Sequence, residues 1–124
     1  MVKHALNWFE IPVVDFDRAK KFYGTIFDYD MPEMMMGKNR MGFLLHERGN
    51  SVGGTIILEA GRKPSDQGTL VYLNGGSDLS VVLDRVKAAG GSVVGAKCEV
   101  APGMGYIALF KDTEGNLVGI HSMG

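Results

Sequence analysis

The chain has 124 residues, 45% hydrophobic and 22% charged, with a formal net charge of −1. That is one ordinary globular domain, large enough to bury a core without disulfides or a structural metal. The near-zero charge leaves no electrostatic case for nucleic acid or an anionic membrane, and a lone cysteine, Cys98, rules out an internal disulfide. Along residues 5–12, Phe9 and Ile11 alternate with Trp8 and Glu10, which predicts a strand. Asp15 reads as a helix N-cap, with Phe16, Ala19, Phe22, Tyr23, Ile26 and Phe27 at helical spacing behind it. Strands are expected near 30–36, 40–46 and 52–59, parted by turns at Gly37–Lys38–Asn39 and Gly49–Asn50. "GRKPSDQG" (61–68) is a polar connector rich in chain breakers. Next, "TLVYLN" predicts a strand. "SDLSVVLDRVKAAGG" predicts a helix with Leu79, Val82 and Val86 inward, stopped by Gly90–Gly91. Three strands follow, near 92–98, 104–111 and 116–122, with "KDTEGN" turning between the last two.

The order of elements repeats. An offset of 63 sets Phe16 on Leu79, Ala19 on Val82 and Tyr23 on Val86, so the inner faces of the two helices coincide. The same offset sets Trp8 on Val71 and Glu10 on Leu73. An offset of 62 sets "GGTIILEA" on "GNLVGIHS", with Ile57 on Gly119 and Glu59 on His121; the one-residue difference is assigned to a loop. The expected fold is α+β. Two βαβββ repeats, about 1–62 and 63–124 of a single domain, form a curved mixed sheet around a central trough. Phe9, Ile11 and Val13 then lie under the first helix, and Trp8 and Glu10 face the trough. No apolar run is long enough for a transmembrane helix, and the N-terminus lacks the apolar core of a signal peptide. A cytoplasmic protein with no membrane partner is expected.

Taken singly, a mid-strand Glu10 is expected to be buried, needing a hydrogen-bond partner or a raised pKa. Trp8 offers a flat apolar wall for a ligand, or fills the trough itself. Met34, Met35, Met36, Met41 and Met104 either line an adaptable pocket or belong to strands with one face in the core. His4 and His46 lack a partner at ligand spacing and are expected at the surface or at strand ends. Arg40, after a turn, is expected in solvent. Cys98 stands in no CxxC pattern, which predicts a buried, inert thiol. Gly75–Gly76 and Gly90–Gly91 bracket a helix without the pattern of a phosphate loop.

"NWFEIPVVDFDRAKKFY", "GTLVYLN", "LDRVKAAGG" and "GYIALFKDTEGNLVGIHS" together resemble the vicinal oxygen chelate superfamily. That group includes lactoylglutathione lyase (glyoxalase), bleomycin-resistance proteins and extradiol dioxygenases. The resemblance spans essentially the whole chain and is nearest to the branch related to lactoylglutathione lyase. It implies metal ligands on the first and fourth strands of each unit, drawn from His, Gln and Glu. Those slots fall here on Trp8, Ile57, Val71 (Thr69 if the register slips by two) and Gly119, none suited to a divalent ion. No metal or other cofactor is therefore expected, and no glyoxalase reaction, which uses the ion to stabilise an enediolate.

Two positions further along the same strands, about 6.6 Å away, stand Glu10, Glu59, Leu73 and His121. Trp8, Glu10, Glu59, Val71, Leu73, Gly119 and His121 are therefore the candidate ligand-binding residues. Two function classes remain open. One is a metal-independent protein that binds or sequesters a small organic ligand in an aromatic-lined trough, as the bleomycin-resistance members do. The other is a lyase-, isomerase- or dioxygenase-like enzyme, using Glu10 as general base or a cation at the Glu10/Glu59/His121 layer. Each unit leaves a sheet face and an edge to be covered, so a homodimer is expected.

Overall fold

A computed structural model of the chain describes residues 3–47, 49 and 51–124. Asn50, half of the expected Gly49–Asn50 turn, lies outside the described residues. The chain divides into two compact units, 1–64 and 65–124.

The first unit contains β1 (Trp8–Pro12), α1 (Phe16–Phe27), β2 (Glu33–Met36), β3 (Asn39–Phe43) and β4 (Gly53–Leu58). Its open sheet has the order β1-β4-β3-β2, with β1 parallel to β4 and the other pairs antiparallel. Asp15 caps α1 by accepting a hydrogen bond from the Arg18 N–H at 3.1 Å, satisfying one orphan donor of the first turn. At the other end Asp28 adopts a left-handed conformation (φ 54°). There the N–H of Tyr29 returns to the Gly24 carbonyl at 3.0 Å and ends the helix. Phe16, Ala19, Phe22, Tyr23 and Ile26 form the buried stripe of α1.

The second unit repeats the plan with β5 (Tyr72–Asn74), α2 (Ser80–Val86), β6 (Ser92–Glu99), β7 (Tyr106–Lys111) and β8 (Leu117–Ser122). Its sheet order is β5-β8-β7-β6, again with one parallel pair, β5 with β8. Leu79, Val82, Val86, Ala108, Phe110, Val118 and Ile120 are buried here. The turn between β7 and β8 is held by Asp112. Its carboxylate accepts from the Glu114 and Asn116 backbone N–H groups and from the Asn116 amide, at 2.8–3.0 Å. Asn116 in turn accepts from the Ser65 N–H at 3.0 Å, tying the connector to this turn.

Three expectations need correction. Cys98 is exposed rather than buried, because β6 is an edge strand with two register shifts against β7 and no strand on its outer side. Met34, Met35 and Met36 are all exposed, because β2 is likewise an edge strand and neither of its faces is covered. Arg40 is not simply solvated. Its guanidinium lies 4.2 Å from the centre of the Phe16 ring and 3.0 Å from both Asp17 and Glu33.

Candidate functional site

Side chains alternate across a strand, so the register decides which residues share a face. In the first unit Phe9 pairs with Gly54, Ile11 with Ile56, and Gly42 with Ile56 from the other side. A Cβ on Gly42 would meet Phe16 of α1, and one on Gly54 would meet the Phe9 ring, so this is the helix face. The opposite face carries Trp8, Glu10, Gly53, Thr55, Ile57, Met41 and Phe43.

Three rings gather on that opposite face. Trp8 meets Phe43 edge-on with centroids 6.2 Å apart, and meets His46 edge-on at 5.9 Å. His46 lies over Gly53, where an added Cβ would come within 2.3 Å of its ring. Its Nδ1 is 3.1 Å from the Leu44 carbonyl, which can only accept, so Nδ1 is the donor and, in the neutral ring, Nε2 the acceptor. Trp8 remains 41% exposed, so the cluster has an open side.

Beside the rings is a charged group. Arg62, in the connector, donates from Nη1 to Glu10 Oε1 at 2.5 Å and stands 3.6 Å from Glu59 Oε2. Its hydrogen bond to Glu10 is the main reason the guanidinium binds its proton more tightly than usual. The Glu10 side chain is 31% exposed rather than fully buried, and its partner is this arginine. Thr55, directly opposite Glu10 on β4, has a buried hydroxyl with no hydrogen-bond partner among the described residues.

In the second unit the helix side is fixed by Ser122, whose Oγ accepts from the Leu79 N–H at 2.9 Å. Leu73 pairs with Ile120 and is only 6% exposed, on that same side. The expectation that Leu73 shares a face with His121 is thus corrected, and Val71, two residues earlier, lies outside β5. The reason is the repeat offset. Ile57 maps on to Gly119, and the strands opposite them place Pro12 opposite Ile57 and Tyr72 opposite Gly119. Pro12 therefore corresponds to Tyr72, an offset of 60 rather than 63, because the stretch from Tyr72 to Leu79 is three residues longer than the matching stretch from Pro12 to Phe16. An odd slip turns the strand over. Tyr72 and Asn74, not Val71 and Leu73, share the outer face with Gly119 and His121.

Gly119 lies beneath the Tyr72 ring, where a Cβ would meet Cδ1 at 2.4 Å. His121 is half-buried, and its Nε2 donates to the Met104 carbonyl at 2.9 Å. Tyr72, Asn74, Gly76, His121 and Met123 help line a cavity of about 530 Å³.

Of the residues singled out from sequence, the structure brings Glu10 and Glu59 together through Arg62, with Trp8 on the same face as Glu10. It brings Gly119 and His121 to one face of the second unit. Trp8 and Ile57 are not neighbours, since Trp8 pairs with Gly53 and Ile57 with Pro12. Among the described residues no group of three or more His, Cys, Asp or Glu could hold a metal ion. Sequence reasoning missed Phe43, His46, Arg62, Tyr72 and Asn74. Arg62 carried a usable signal, three residues after Glu59 and just past a glycine. His46 carried none, because its strand ends at Phe43 and the ring folds back from the following loop.

The family model for the glyoxalase/bleomycin resistance protein/dioxygenase superfamily matches residues 5–120. Among solved structures, a glyoxalase/bleomycin resistance protein from Albidiferax ferrireducens T118 is 17% identical. The alignment covers 96% of this chain and 99% of that one, with a TM-score of 0.70. TnmS3, an antibiotic binding protein from Streptomyces sp. CB03234, is 19% identical over 100% of this chain and 99% of its own, at a TM-score of 0.64. The fosfomycin resistance protein FosX from Listeria monocytogenes is 18% identical over 98% and 92%, at 0.63. At these identities the likeness is one of fold. No curated protein gives a significant match.

Proposed function

The chain belongs to the glyoxalase/bleomycin resistance protein/dioxygenase superfamily, and from that premise we propose that it binds or sequesters a small organic ligand without a metal, on the sheet face opposite α1. The observation that carries this reading is the half-open cluster of Trp8, Phe43 and His46 beside the Glu10–Arg62 pair. Three rings with one exposed edge offer apolar area at little conformational cost, and the charged pair supplies polar contacts at the rim.

The donor set supports the metal-independent part. Trp8, Ile57 and Gly119, the slots that the observed register keeps, offer no side-chain nitrogen or oxygen suited to a divalent ion, and the space above Gly119 belongs to the Tyr72 ring. The residues at these slots do not fit a metal, so no step is drawn through one. Glu10 and Glu59, the carboxylates of the shifted layer, already share a cation in Arg62. That engagement also weighs against Glu10 as a general base, since its nearer oxygen must release a guanidinium before it can take a proton. TnmS3, an antibiotic binding protein of the same fold, supports binding as a sufficient role for such a chain.

A homodimer is part of the proposal. The exposed Met34, Met35 and Met36 on an edge strand give each copy apolar surface that a second copy would cover. Sedimentation at micromolar concentration is expected to give twice the chain mass.

Trp8 is the only tryptophan, so its fluorescence reports on this face alone. A panel of aromatic small molecules is expected to include at least one that saturably changes Trp8 emission and raises the melting temperature. Neither effect should need nickel or zinc, and the rise in melting temperature should be lost in Trp8→Ala. A panel with no response, or a response that requires one equivalent of metal per chain, would overturn the reading.

A further inference from the structure

His121 and Asn74 are register partners on the parallel strands β8 and β5, and both border the same cavity. Each is oriented by the backbone. The Met104 carbonyl accepts from His121 Nε2 at 2.9 Å, which fixes the proton on Nε2 and leaves Nδ1 as an acceptor in the neutral ring. Gly105 permits this contact. It stands at φ +83°, and a Cβ there would come within 2.9 Å of His121 Nε2 and 2.4 Å of the Ser122 carbonyl. Asn74 is oriented the other way round. Its Oδ1 accepts from the Gly76 N–H at 2.9 Å, so its amide NH₂ is left as a donor. Tyr72, two positions before Asn74 on the same face and 46% exposed, adds a flat apolar surface at the cavity edge.

We infer that His121 and Asn74 form an acceptor–donor pair that anchors a flat ligand group presenting a donor beside an acceptor, with Tyr72 against its face. Primary carboxamides, lactams and enolised hydroxy-carbonyls have such an edge. The group donates to His121 Nδ1 and accepts from Asn74 Nδ2. A carboxylate, with two acceptors and no donor, meets Nδ1 lone pair to lone pair. This rests on the small-molecule reading above and specifies the chemistry of a ligand group that the second unit takes.

The test uses the full chain, whose three histidines keep the imidazole spectrum simple. Long-range nitrogen–proton NMR at a pH where His121 is neutral is expected to show its Nε2–H tautomer; the Nδ1–H tautomer would overturn the inference. Benzamide is then titrated against benzoate. Benzamide is expected to move the His121 imidazole and Asn74 side-chain amide signals saturably, with benzoate at least fivefold weaker. Asn74→Asp, which keeps the Gly76 contact but removes the donor, is expected to weaken benzamide at least fivefold. Equal responses to the two probes, or none at His121, would overturn the inference. A benzamide response confined to Trp8 would also sink it while leaving the proposed function intact. Failure of the Trp8 ligand panel would remove that reading independently.

Discussion

Arg62 Nη1 reaches Glu10 Oε1 at 2.5 Å across 52 residues of sequence, and so brings the connector back on to the first strand. The same guanidinium neutralises Glu59 at 3.6 Å. Two carboxylates, one in the middle of β1 and one just past the end of β4, are tolerated because one cation serves both.

Replacing Arg62 by alanine leaves those carboxylates facing each other. All three side chains are roughly a third exposed, so solvent screens most of the loss and about 0.5–1 kcal/mol is expected in urea unfolding. The loss should shrink as salt is raised from low ionic strength to 1 M. A loss unaffected by salt would mean that Arg62 acts through packing of its stem.

A glycine under a ring is a packing device on both outer faces, at Gly53 beneath His46 and at Gly119 beneath Tyr72. Gly53→Ala is expected to push His46 away and alter Trp8 emission, since the His46 ring packs edge-on against the indole. Gly119→Ala is expected to displace Tyr72 at a cost of about 1–3 kcal/mol, leaving Trp8 emission unchanged. Chemical denaturation and fluorescence of the two variants check both statements.

Ser122 holds the start of α2. Leu79, the residue that caps α2, has no side-chain capping bond. Its own backbone N–H is satisfied by the buried Ser122 hydroxyl, 43 residues away. Ser122→Ala strands that donor and is expected to cost about 1–3 kcal/mol. Hydrogen exchange should show the amides of α2 opening first in this variant. Unchanged stability would show that the helix start finds another acceptor.

The Asp78 carboxyl is held down to about 2, first by its hydrogen bond from Lys97 and then by the Ser80 backbone N–H. A depressed carboxylate stabilises the fold above its unfolded value of about 3.9, and that contribution fades as pH falls towards 2. Carbon-13 titration of Asp78 is expected to show a midpoint near 2, moving up towards the ordinary range in Lys97→Ala. A midpoint already near the ordinary value in the unsubstituted protein would remove the ion pair from the account.

Much of this protein was legible from local pattern. Helical spacing picked out the buried stripe Phe16, Ala19, Phe22, Tyr23 and Ile26, and Asp15 announced its own cap. Period-two alternation put Trp8 and Glu10 on one face and Phe9 and Ile11 on the other, because a strand side chain's direction is set by its immediate neighbours. The ten elements follow the repeated βαβββ order for the same reason. Tertiary structure alone decided the rest. The offset that aligned the helices overran the match of Pro12 with Tyr72 by three residues, and since strand faces alternate by one, that odd slip exchanged Val71 and Leu73 for Tyr72 and Asn74. Edge position, which depends on the order β1-β4-β3-β2 and β5-β8-β7-β6, exposed Cys98 and the three methionines. His46 and Arg62 reach the first unit's outer face from loops, where no periodicity constrains a side chain and only the folded neighbours, Trp8 and Glu10, fix its place.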